Sequence, residues 1–463
     1  MKSKYKKREI VRQLTARGMK IVGGVVLIAS VLMVTYASGQ VSDKSVQQGD
    51  LVYICNEDSN TLSVIDPVTN TVKATINLTS FDEDPRPPFR FVTGGVIPTH
   101  AGMVTKPLYH GAISIHGAVP SPDQTMIATT GRGTSNVYLI DTKKMSVIGN
   151  RPNPQATSTT NDQVLSSGIL VGREPHEPTF TPNGKELWVT LRGENRIAVL
   201  DLEKAKRESS GIEGGSIRMY VPTVLGPAQV WFSKDGAVAF VISQKTSAVE
   251  VFRTNFDDEG FSHPTSVRTL DISGQDPYAF TPFLKLTPDG KEIWFSHKLA
   301  DALSSRAVEG NQALLDNIPL GKNARPNHIE FVENRNGKVV YATLARVDDG
   351  GPDSVASSRV LIIDRSGAVG TRAVVGNFFS HGREAHGIWT NPANDRLYIA
   401  HEQDQLPGTP NEGQTVCSVF DVTEPLSPKF ITQIPLGEMN LPSGKLRNKK
   451  SINLVYVRPG KTL

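Results

Sequence analysis

One pattern recurs along the chain and restricts its fold more than any other feature. Two runs of alternating apolar residues flank a short polar turn in Leu51–Asp66 (LVYICNEDSNTLSVID), and Thr71–Ile76 reads as a third run. The plan returns clearly in Glu186–Leu202 and Ala237–Phe252. It returns more weakly in Met126–Thr142, Lys338–Asp364 and Arg396–Val422. Alternation of β-branched and aromatic residues, broken by Asn, Asp, Gly or Ser, marks short strands joined by tight turns. Ahead of most copies stands another strand ending in a Pro/Asp/Gly turn, as in FTPNGK, FSKDGA and LTPDGK. Such turns suit hairpins, because Gly accepts positive φ and Pro presets its own.

Four strands of this kind make a sheet that cannot bury both faces alone. Stacked round an axis, they form the blades of a propeller. The first copy lacks a preceding Pro/Asp/Gly strand, and Ile452–Lys461 at the C-terminus supplies one. The expectation is an all-β, seven-bladed β-propeller closed by the C-terminal strand, which removes two exposed edges. Blade five, around Phe283–His297, is the least distinct copy.

Charge separates the chain into two parts. The first 20 residues carry eight Lys and Arg against Glu9 alone, a net +7, which leaves −3 for the remainder of the chain's +4. An apolar run, Ile21–Tyr36, follows, then Ala37, Ser38 and Gly39. Residues 1–39 read as a signal peptide or, if uncleaved, a membrane anchor, and 40–463 as the propeller. Either form places the propeller in the periplasm or outside the cell, touching membrane only through an uncleaved leader. A body at −3 argues against nucleic acid as a partner. Cys55 and Cys417 fall in different repeats and read as buried hydrophobes, although one disulfide stays open. No Cys-x-x-Cys-His occurs, so no haem c is attached.

The motif Asn60–Asp66 (NTLSVID) followed by Thr69–Val72 (TNTV) resembles the YVTN-type β-propeller repeat. That resemblance implies the fold and leaves function open, since fold and activity are separable.

Aligning the copies on the Pro/Asp/Gly turn places His116, His176, Ala228, Pro282, His328, His386 and Ile452 at the start of successive innermost strands, His328 with one extra residue in its turn. Four of the chain's ten histidines thus fall in blades two, three, six and seven, near one channel mouth. Two arrive in matching contexts, Gly172-Arg173-Glu174-Pro175-His176 and Gly382-Arg383-Glu384-Ala385-His386. The turn after the second strand is expected to bring Arg132, Arg192, His297, Arg346, His401 and Glu402 to the same face.

Neutral imidazoles converging on an axis could hold copper or zinc. Glu174, Glu384, Arg173, Arg383 and His401 would then form a supporting shell. This arrangement resembles the propeller of nitrous-oxide reductase, although the Cys-rich copper domain of that family is missing. The alternative is that the histidines only bond neighbouring loops and each Gly-Arg-Glu-x-His ties one loop to the next. Trp188, Trp231, Trp294 and Trp389 read as core.

Two function classes follow. One is an exported binding module for a protein or small-molecule ligand, with or without metal. The other is an enzyme at the channel mouth, either a copper-dependent redox enzyme or a lactonase-like hydrolase using Arg, Glu and His.

Overall fold

The computed structural model describes residues 45–78, 113–149, 151–152, 164–165, 168–212, 214–272, 280–441 and 444–460. The leader, His100, His110 and the acidic run Asp82–Asp84 lie outside them.

Seven antiparallel sheets follow one another as blades. Blade three is representative, with Pro175–Phe180 innermost, then Glu186–Leu191, Arg196–Asp201 and Ile217–Pro222. Blade one takes its inner strand from the C-terminus, where Ser451–Val457 pairs antiparallel with Leu51–Asn56. The seven inner strands contact each other in a closed ring. Blade five is complete, with Phe283–Leu286, Glu292–His297, Ala302–Ala307 and Leu314–Pro319. In blade two the outer position is split, since Ile169–Leu170 and Ser146–Val147 pair with opposite ends of Asn136–Asp141.

The period-two pattern explains why the blades stack. Leu51, Tyr53 and Cys55 pack towards blade two, while Val52 and Ile54 of the same strand pack towards blade seven. Both faces are buried, so the middle strands read as continuous apolar runs. Seven hydrophobic clusters result, one at each junction between neighbouring blades. Trp188 and Trp294 fill two of them without any exposure. Cys55 and Cys417 are buried and unpaired.

The hairpin turns repeat one chemistry. Ser121, Thr181, Ser233 and Thr287 each donate from the hydroxyl to the Asp or Asn two residues later. Gly184, Gly236 and Gly290 take φ of +70° to +77° there, a region glycine enters without cost.

Candidate functional site: the channel mouth

Four inner strands carry the same local irregularity. In blades two, three, six and seven the pairing skips between Ile115 and Ala118, Pro175 and Pro178, Pro326 and Ile329, and Ala385 and Ile388. A bulge sets two residues against one, which re-aims side chains that strict alternation would turn away. The bulged pairs are His116–Gly117, His176–Glu177, Asn327–His328 and His386–Gly387.

The register corrects one alignment. His116, His176 and His386 share the first bulge position with Ala228 and Ile452, as expected, but in blade six that place belongs to Asn327. His328 takes the second position, level with Glu177, because the blade-six hairpin pairs through to Asn334 and Gly337. The bulge still turns His328 inwards, and all four histidines line one cavity of ≈ 240 Å³.

The turn after the second strand forms the wall of that cavity. Its ring is Glu57, Arg132, Arg192, Gln244, Lys298, Ala345 and Glu402, one residue per blade, of which all but Arg192 and Ala345 line the cavity. Here three expectations shift by one residue, which in a strand reverses the side chain. His297 lies between strands, bonded to Thr281 and Ser304. His401 bonds Val416 O and Ser380, and Arg346 pairs with Asp348. Their neighbours Lys298, Glu402 and Ala345 occupy the ring.

A second set of residues lies just before each inner strand. Ser114, Glu174, Arg325, Glu384 and Lys450 all have φ between +50° and +55°. In several blades the ring residue's N–H donates to the carbonyl of this left-handed residue, as Arg132 does to Ser114, Arg192 to Glu174 and Glu57 to Lys450. Left-handed non-glycine residues cost about 1–2 kcal/mol each, and such strain gathers at functional sites. In the two Gly-Arg-Glu-x-His segments it is Glu that carries the strain. Glu174 pairs with Arg192 of its own blade, while Glu384 lines the cavity and accepts from Gln403. Arg173 and Arg383 stand outside the cavity lining, and Arg383 donates to Asp404 O.

The four histidines form two pairs. His116 Nε2 and His176 Nε2 are 3.0 Å apart. Arg132 reaches His116 Nδ1 at 3.2 Å, and arginine can only donate. The His116 proton therefore sits on Nε2 and is offered to His176 Nε2. His176 Nδ1 in turn donates to Ala228 O at 2.9 Å. Gln244 also donates to His176 Nε2, at 3.1 Å. On the other side, His328 stacks on Phe283 at 4.0 Å, and its ring centre lies 4.5 Å from that of His386. His386 Nε2 is 3.6 Å from Glu402.

Burial holds the imidazoles of His116, His328 and His386 well below their ordinary pKa. The Arg132 guanidinium adds to this at His116, and His386 followed by Lys285 and Lys298 at His328. They are neutral at pH 7. Burial and the neighbouring Glu402 push Glu384 upwards, while burial pulls the Lys298 amine down.

Below the histidines the channel is stoppered. Lys285 bonds Glu330 at 2.7 Å and sits over Trp389 at 3.8 Å and Trp231 at 5.9 Å. These two tryptophans are only partly buried and pack against the core clusters, whereas Trp188 and Trp294 lie fully inside them. Glu177 lies one layer down from His176 and is held at 3.4 Å by Asn453. Glu177, His116 and His176 bring three possible ligand atoms within 4.8 Å of one another. Gly117 is required beside them, because a Cβ there would collide with the Glu177 carboxylate. Glu57, Lys298, Lys450 and Gln244 were not singled out in the sequence. The signal for Glu57, Lys298 and Gln244 was their place just after the second strand, and for Lys450 its place just before the C-terminal inner strand.

The family model that matches is the seven-bladed β-propeller lactonase, over residues 153–349, somewhat under half the chain. Hydrazine synthase subunit beta of Kuenenia stuttgartiensis is 23% identical over 185 residues, covering 34% of this chain and 45% of that protein. The matched region thus spans under half of that relative's length. Among solved structures, a protein of Bacteroides fragilis assigned as a 6-phosphogluconolactonase superposes with a TM-score of 0.56 at 13% identity, over 90% of this chain and all of that one. Its counterpart from Bacteroides uniformis gives 0.55 at 14% identity, over 89% and 100%. The likeness is one of fold. Among the described residues no helix is long and apolar enough to cross a membrane.

Proposed function

We propose that this chain is an exported propeller hydrolase that opens small lactones in the channel-mouth cavity. The observation that carries the reading is the meeting, in one blind cavity, of neutral imidazoles, a carboxyl group with a raised pKa and buried cations. The match to a lactonase family model supports it, and the basic leader with its apolar run supports export.

Groups whose environments push their protonation apart make acid and base assignments. Neutral His386 takes the proton of a water that attacks the lactone carbonyl, and Glu402 beside it stabilises the imidazolium. Protonated Glu384 delivers a proton to the ring oxygen as the carbon–oxygen bond breaks. The proton on His386 then returns the Glu384 carboxylate to its acid form, so the cycle consumes one water and yields a hydroxy acid. The test is titrimetric assay of five- and six-membered aliphatic lactones. Turnover that falls by about 10²–10⁴-fold in His386→Gln, with the melting temperature kept, supports the reading. Absence of turnover by the native chain ends it.

A second reading is copper or zinc on His116, His176 and Glu177, favoured by their clustering within 4.8 Å. Loading requires His116 Nε2 to lose its proton and Arg132 to yield Nδ1. One metal per chain, lost in His176→Ala, would support it.

A further inference from the structure

We propose that Lys298 is the anchor for the carboxylate of a small organic acid bound in the channel-mouth cavity. The wall of that cavity contains three cations. Two are in ion pairs: Arg132 pairs with Glu57 at 2.6 Å, and Lys450 pairs with the same carboxylate and lies 3.9 Å from Glu402. Lys298 is different. Among the described residues it makes no ion pair. Its amine bonds only the neutral amide oxygen of Asn327, at 2.6 Å. That amide is itself oriented, because Asn327 Nδ2 donates to Ala385 O at 2.8 Å.

A buried cation without a counter-ion is costly, and the histidines around it are neutral and supply none. A bound anion gives this amine the ion pair it lacks.

Charge and size limit the ligand. Glu402 and Glu384 favour the charge of Lys298 only from beyond ion-pair distance, and one ammonium without an ion pair matches one negative charge, whereas a phosphate dianion calls for two. A cavity of ≈ 240 Å³ is on the order of eight waters' share of liquid volume, room for roughly ten heavy atoms. Lys298 also acts on both His328 and His386 electrostatically, so the carboxylate lies beside the imidazole assigned as base. The inference rests on the hydrolase reading only for the acid's identity: ring opening turns the carbonyl oxygen into a carboxylate at this place.

The experiment is calorimetric titration of the purified protein with γ-hydroxybutanoate, butanediol as its uncharged analogue, and inorganic phosphate. The acid is expected to bind at least tenfold more tightly than the diol and than phosphate. Lys298→Met should abolish that preference, Lys298→Arg should keep part of it, and the diol's affinity should be unchanged in both. Equal binding of acid and diol, equal binding of phosphate, or full acid affinity in a folded Lys298→Met protein overturns the proposal. Lactone turnover that is indifferent to Lys298 overturns it while leaving the hydrolase standing. Acid binding through Lys298 without turnover of any lactone removes the hydrolase and leaves the anchor.

Discussion

Individual residues at this mouth are set by their protonation as much as by their position. His297 and His401 lie outside the cavity, and burial lowers both to about 4. Their unfolded value is near 6.5. The unfolded chain therefore binds more protons between those limits. Stability is fully present above about pH 6.5 and is lost as pH falls towards 4, by up to roughly 3 kcal/mol per histidine. Urea unfolding at pH 7 and pH 5 should show the loss, and His297→Gln should shrink the difference. Glu384 makes a second residue-scale case. Glycine removes the left-handed strain but loses more backbone entropy on folding. Glu384→Gly is therefore expected to unfold within about 1 kcal/mol of the native chain while losing lactone turnover. A drop of several kcal/mol would make Glu384 a structural residue.

At the scale of strands, the bulges are held by a repeated hydroxyl. Thr130, Thr190 and Ser296 each occupy the fifth place of a second strand, and Thr343 the seventh place of the longer one in blade six. Each donates to the bulge carbonyl of the next blade: His176, Ala228, Asn327 and His386 respectively. The threonines also accept from their own bulge, at the N–H of Gly117, Glu177 and His328. One small side chain thus fixes two blades and aims two inward residues. Thr190→Val keeps the shape and leaves buried backbone groups unpaired, at about 1–3 kcal/mol. Thr343→Val should also reduce turnover, because it loosens His386. By comparison, Trp188→Ala opens the junction of blades three and four and should cost about 3–5 kcal/mol without touching the cavity. Chemical denaturation and assay of both variants separate these effects.

For the whole molecule, closure is the decisive event. Ser451–Val457 pairs along Leu51–Asn56, and it also packs against the inner strands of blades two and seven. It contributes Ile452 to the cavity and Asn453 to the layer beneath. Removing residues 451–463 leaves blade one without its inner strand and exposes a bare edge. The shortened chain is expected to aggregate or to lose its single cooperative unfolding transition. A soluble product with the native melting temperature would refute closure by this strand.

Much of this was legible in one dimension. Alternation, turn residues and the orphan strand at Ile452 determined the blades, their number and their closure, because period-two burial and positive-φ turns are local properties. Three of the four histidines were also placed at their true ring position, since their distance from the Pro/Asp/Gly turn is local too. What the tertiary structure alone decided was where the remaining side chains point. A bulge adds one residue without any strong signal in sequence, so His328 moved down a layer and Asn327 took its place. The same one-residue sensitivity turned His297, Arg346 and His401 away from the mouth and brought Lys298 to it, whereas Arg132 and Glu402 line it as expected. Strand chemistry repeats every two residues, so an error of one is invisible in composition and complete in space.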